Sequence, residues 1–156
     1  MADGISESSL EAGFIELASI VRALHGEWSA AAGGGYEGWT CHDLLAHLSS
    51  SEAALARVAA SSTEPAPPRA EPFDADRWNA SQLRKRAGTS PQDLLAEFDV
   101  GTTRLVEALT DLDLSKPVHA GAFAGRPLRE AMAEMLEHQR RHLDDLRTAL
   151  HRHPEA

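Results

Sequence analysis

Four stretches of this chain repeat apolar residues at alternating three- and four-residue steps, and glycine- or proline-rich runs separate them. That spacing gives each helix one apolar stripe, and a stripe must be buried against another element. In the first stretch, Ser8 to Ala31, the stripe is Phe14, Leu17, Val21, Leu24 and Trp28, and Gly33-Gly34-Gly35 is expected to stop it. The second begins after Trp39, with Thr40 as N-cap and Asp43 at the third helical position of a capping box. Its inner stripe is Leu44, Leu48, Ser51, Leu55 and Val58, and His47 shares that face. The third opens on Ser90-Pro91, a cap followed by a first-turn proline, and continues through Leu94, Leu95, Phe98, Thr102, Leu105, Val106 and Leu109. The fourth runs from near Pro127 to about His151, with Leu128, Met132, Met135, Leu136, Leu143, Leu146 and Leu150 on its apolar face. Between the second and third, Pro65, Pro67, Pro68 and Pro72 dictate a loop, and Asp76 to about Arg86 is a short helical segment with Trp78 and Leu83. The fold class is therefore all-α: a four-helix bundle with a short extra helical segment between its second and third helices, one domain over 1–156. Two long connections permit more than one topology, and the sequence alone does not choose the handedness.

Composition agrees with helices over sheet, since only 5% of residues are aromatic and alanine and leucine dominate. A formal net charge of -9 repels phosphate backbones and argues against nucleic acid as a partner. No basic segment followed by an apolar run opens the chain, and no apolar run approaches the roughly 20 residues of a membrane span. A soluble, cytoplasmic protein is expected.

The chemistry-bearing pattern is histidine. His138 and His142 sit four residues apart on the fourth helix, so they differ by only about 40° around its axis. His142 falls near the centre of the apolar face and His138 at its shoulder. A polar imidazole facing a core needs a hydrogen bond or a metal. If helix packing sets His47 opposite the pair, three imidazoles converge with room left for water, which describes an open metal site. Gln139 follows His138 where a zincin protease needs glutamate as general base, and glutamine cannot abstract a proton. Glu134, four residues before His138, is a further ligand, a partner of a ligand, or a solvated carboxylate. His25 borders the interior without a partner at helical spacing; His42 lies close to the cap of the second helix; His119 falls in a loop; His151 and His153 lie in the tail. Cys41 cannot pair internally; its place at a helix N-terminus can lower a thiol pKa, but a nucleophile wants a histidine and an orienting residue, and His42 is merely its neighbour in sequence, so catalysis by Cys41 is not expected. Arg84-Lys85-Arg86 reads as a solvated face, and Trp28, Trp39 and Trp78 as core or boundary anchors.

The run Trp39-Thr40-Cys41-His42-Asp43-Leu44-Leu45-Ala46-His47-Leu48 resembles the start of the second helix in the DinB-like superfamily. More narrowly, it is similar to the N-terminal domain of mycothiol-dependent maleylpyruvate isomerases. Asp76-Arg77-Trp78-Asn79 resembles the asparagine-containing segment at that place, and His138 and His142 match the C-terminal helix histidines. The resemblance spans nearly the whole chain. It implies a four-helix bundle with a divalent metal, zinc or nickel, held by His47, His138 and His142. It also implies a low-molecular-weight thiol such as mycothiol, which the metal would activate as thiolate. The isomerase pattern places a carboxylate and a histidine four apart on the last helix, so Glu134 with His138 is an alternative to His138 with His142. Those isomerases carry a further C-terminal domain, which this sequence does not include.

Three functions compete on this reading. The first is a metal-dependent enzyme, an S-transferase or isomerase acting on a small electrophile with a thiol partner. The second is a non-catalytic metal-binding or stress-response bundle, a homodimer. The third is a metal-free helical interaction module.

Overall fold

The computed structural model describes residues 6–68 and 72–152. Its elements are helices α1 (Glu7–Arg22), α2 (Cys41–Ala60), α3 (Ala75–Arg86), α4 (Pro91–Thr110) and α5 (Leu128–Arg152), with a 3-10 turn at Ser61–Thr63. Local chemistry sets the starts. The Thr40 hydroxyl accepts from the Asp43 N–H, and the Asp43 carboxylate accepts from the Thr40 N–H at 2.9 Å, which closes the capping box of α2. Ser90 accepts from the Asp93 N–H, and Pro91 opens α4 as its first residue.

One boundary departs from the sequence reading. Helix α1 ends at Arg22 and not at Ala31. Gly26 has φ +148°, a conformation no side chain suits, and a Cβ there would lie 2.9 Å from the Leu150 side chain. The backbone breaks where α5 needs the space, four residues past the end of α1. Residues 23–40 instead fold against the start of α2, with the Cys41 N–H donating to Ala30 O and the His42 N–H to Trp28 O, both at 2.8 Å. Trp28 stays half-buried from this connection rather than from a helix.

Helices α1 and α2 each pack against both α4 and α5. Consecutive helices α1 and α2 therefore sit across the diagonal of the bundle, as do α4 and α5, which is why 23–40 and 111–127 must be long. Helix α3 lies outside this square, against α2. The four stripes meet in one core, with Phe14, Leu44, Phe98, Leu105 and Met132 fully buried.

The tightest crossing joins α2 to α4. A Cβ on Gly101 would stand 2.9 Å from backbone atoms of Glu52 and Ala53, so only glycine permits the approach. Ser49 Oγ donates to Leu94 O at 2.8 Å across the same seam. This crossing seals in Glu52, which has no exposed surface. Its carboxyl takes the Thr102 hydroxyl at 2.6 Å and the Gln139 amide at 3.1 Å. Burial raises its pKa from 4.5 to about 7 against the opposing pull of those two hydrogen bonds. A protonated Glu52 is fully accommodated: Oε2–H donates to Thr102 Oγ1, which donates onward to Phe98 O at 3.2 Å, while Oε1 keeps the Gln139 amide.

A carboxyl whose folded pKa exceeds its unfolded pKa binds more protons in the native state between the two values. Stability therefore falls as pH rises from about 4.5 to about 7 and levels off above, by on the order of a few kcal/mol. Glu52→Gln reproduces the protonated form in shape and hydrogen bonding. Urea denaturation at pH 8 is expected to find Glu52→Gln more stable than the parent, with the gap closing at pH 5. Equal stabilities at both pH values would show that burial does not raise the Glu52 pKa.

Candidate metal centre

His47 lies on the second turn of α2, and His138 and His142 lie one turn apart on α5, which packs against α2. Packing brings one ring nitrogen of each within 4.8 Å of the others. His142 Nε2 stands 3.0 Å from His138 Nε2 and 3.3 Å from His47 Nε2. The His142 ring lies nearly perpendicular to both neighbours, at 80° to His138 and 88° to His47. A tetrahedral ion with bonds of about 2.0–2.1 Å separates its nitrogen ligands by about 3.3–3.4 Å, so the two spacings from His142 are close to what a single ion needs. The Nδ1 atoms of His47 and His138 are buried without a hydrogen-bond partner among the described residues, which leaves those rings held by packing and by the cluster itself. His47 is only 5% exposed, whereas His138 and His142 are half-buried and carry the cluster towards solvent.

Burial keeps all three imidazoles neutral. It lowers the His47 pKa to about 4, with the neighbouring His138 adding to the effect. It lowers His142 to about 3, with His47, His138 and Arg141 each contributing, and it lowers His138 with help from Arg141. Neutral rings have lone pairs to give at physiological pH, so the group could hold a metal without first losing protons. A donor set of imidazole nitrogens suits zinc, nickel, copper or iron.

Two aromatic residues from the 23–40 connection cover the cluster. Trp39 lies over His47, with ring centroids 5.6 Å apart. Tyr36 Oη lies 2.6 Å from His142 Nδ1 and donates to Asp145 Oδ2, also at 2.6 Å. Burial raises the Tyr36 pKa, and the hydrogen bond to Asp145 and that carboxylate's charge raise it further. The sequence reading singled out neither Tyr36 nor Asp145. Asp145 did leave a signal, since it stands three residues after His142 on the same side of α5. Tyr36 left none, because nothing local shows that a glycine-rich connection returns to α5.

Other candidates lie elsewhere. Glu134 is half-exposed and faces Arg126 at 3.6 Å, apart from the three-histidine group. His25 is exposed, because α1 has ended before it. His42 Nε2 meets Thr89 O at 2.7 Å and ties the start of α2 to the connection before α4. The His119 N–H donates to Ser61 Oγ at 2.9 Å, His151 is exposed at the end of α5, and His153 lies outside the described residues. Within Arg84-Lys85-Arg86, Arg86 is not a solvated cation: its guanidinium grips Glu97 at 2.7 and 2.9 Å and Gln82 at 2.6 Å, joining α3 to α4. Cys41 is fully buried, and burial raises its thiol pKa, so the helix N-terminus does not make it a reactive thiolate.

A helical bundle that gathers three imidazoles from two packed helices is a domain with a candidate mononuclear metal centre. The family model of the mycothiol maleylpyruvate isomerase N-terminal domain matches residues 10–147, and the chain belongs to that family, within the DinB-like superfamily. Comparison with curated proteins and with solved structures returns no match. Among the described residues, no helix is long and apolar enough to cross a membrane.

Cys41 is the sole cysteine, so thiol chemistry reads it cleanly. An aromatic disulfide reagent is expected to release less than about one-tenth of an equivalent from native protein within minutes and one full equivalent in denaturant. Rapid native labelling would show that the α2 N-terminus opens to solvent.

Proposed function

We propose that this chain binds one divalent metal ion, zinc or nickel, through His47, His138 and His142. It uses a low-molecular-weight thiol of the mycothiol type in S-transfer to, or isomerisation of, a small electrophile. The observation that carries the reading is the meeting of three neutral imidazole nitrogens within 4.8 Å of one another, with His138 and His142 half-buried. Family membership supports the thiol, since the matched domain is named for mycothiol. A divalent ion held by three neutral ligands keeps its charge, and so would supply Lewis acidity and favour the thiolate of a bound thiol. The chain's own part is to present three lone pairs from two rigid helices and to shield His47 beneath Trp39. Arg141, which lies near enough to depress the pKa of both α5 histidines, adds positive charge near the cluster, which favours an anionic thiol there.

A second reading, a metal-binding bundle without turnover, has one observation in its favour. A surface cavity of about 460 Å³, lined by Phe73, Arg77, Trp78 and His119 among others, includes none of the three histidines. A substrate bound there would not touch the cluster.

Metal analysis of untagged protein is expected to find close to one divalent ion per chain, and His47→Ala, His138→Ala and His142→Ala are each expected to lose most of it. Glu134→Ala should retain it. Unchanged metal content in His47→Ala would sink the ligand assignment, whereas loss in Glu134→Ala would move the site to the carboxylate alternative. In the cobalt-substituted protein, adding a small thiol should produce a sulfur-to-metal charge-transfer band. Absence of that band, with metal bound, would favour the bundle without turnover.

A further inference from the structure

Each imidazole has two nitrogens and, when neutral, one proton, so a nitrogen that faces the cluster with a lone pair requires the proton on the other. For His142, unlike His47 and His138, that other nitrogen has a partner. Tyr36 Oη lies 2.6 Å from His142 Nδ1 and 2.6 Å from Asp145 Oδ2. The phenol has one proton, and a carboxylate can only accept, so the proton goes to Asp145. Tyr36 Oη then faces His142 Nδ1 with a lone pair, and His142 must donate. Its proton sits on Nδ1 and its Nε2 is bare, pointing at His138 Nε2 and His47 Nε2.

We infer that Tyr36 and Asp145 are positioning residues that hold His142 in the Nδ1–H tautomer, so that its Nε2 lone pair is presented to the metal site before any ion arrives. The inference rests on the proposed metal centre for its purpose, and on hydrogen-bond geometry for its content. The Nδ1 atoms of His47 and His138 have no partner among the described residues, so either ring can place its proton on Nε2 and donate to the single Nε2 lone pair of His142 in the metal-free protein, whereas holding an ion would need that proton on Nδ1. His142 alone keeps one tautomer in both states, which makes it the fixed ligand around which the others adjust.

The 23–40 connection is built to hold the phenol there. Tyr36 N–H donates to Gly33 O at 3.1 Å, Trp39 N–H donates to Tyr36 O at 3.0 Å, and Ala32 N–H donates to Trp39 O at 2.9 Å. Three backbone bonds thus flank Tyr36 on a segment with no helix or strand of its own. Asp145 is set by α5, three residues after His142, so acceptor and imidazole share one rigid support. A hydrogen-bonded partner of this kind on a metal-binding histidine commonly contributes about 10–100-fold in affinity.

The test compares parent, Tyr36→Phe and Asp145→Asn by two measurements. In metal-free, 15N-labelled protein, long-range 1H–15N correlations report the tautomer of His142, identified by its loss in His142→Gln. The parent should show Nδ1–H alone. Tyr36→Phe should show a mixture, and Asp145→Asn should move the same way, because an amide can donate to Tyr36 and release the phenol proton towards His142. Zinc affinity, measured by competition with a chromophoric chelator, should fall about 10–100-fold in Tyr36→Phe. A parent already in the Nε2–H form, or a Tyr36→Phe variant that keeps Nδ1–H, would overturn the inference, as would weakened zinc binding with the tautomer unchanged. If the tautomer shifts as expected while the parent binds no zinc, the positioning role stands and the proposed metal function falls.

Discussion

Residues 44–52 of α2 are buried without a break, so this helix has no solvent face along its middle two and a half turns. Everything else follows from enclosing it. A helix surrounded on all sides loses water as a partner, so each polar group left unpaired costs about 1–3 kcal/mol. Serines 49 and 50 settle theirs on backbone carbonyls, at Leu94 O and His47 O. Glu52 settles its carboxyl between Thr102 and Gln139. His47 settles only Nε2, on His142 of α5, and keeps a buried Nδ1 with no partner among the described residues. The candidate metal centre is thus one of several answers to the same constraint, and the one that reaches the surface.

The two buried polar groupings of α2 are linked through one residue. Gln139 donates to Leu48 O and to Glu52 from the position directly after His138. The glutamine that rules out a zincin base has its own place, fastening α5 to α2 one residue from a histidine of the cluster. Such a fastening favours a preset geometry, since both helices are held against each other by groups other than the cluster. The outer side is set differently, by the 23–40 connection, which brings Trp39 and Tyr36 over the imidazoles.

The helices were legible because their signals are local. Caps at Thr40 and Ser90, the proline at the start of α4, and apolar spacing on each segment all act within a few residues of the bonds they control. The overrun of α1 past Arg22 shows where that logic stops. Leu24 and Trp28 continue the spacing, yet Gly26 must turn to leave room for Leu150, a residue from the far end of the chain. Arg86 departs for the same reason: its sequence neighbours give it to solvent, whereas Glu97 of α4 grips it in the folded chain.

By itself the sequence determined that the chain would be helical, that its segments would need one another to bury their stripes, and that His138 and His142 would share a side of one helix. These depend on periodicities of the chain with itself. Only the tertiary structure decided that α5 lies against α2, so that His47 meets the pair while Glu134 turns towards Arg126. It alone decided that Tyr36 comes back across more than a hundred residues to face His142, and that Glu52 is sealed beneath Gly101. Contacts at such separations depend on which faces of the bundle meet, and no short-range pattern carries that information.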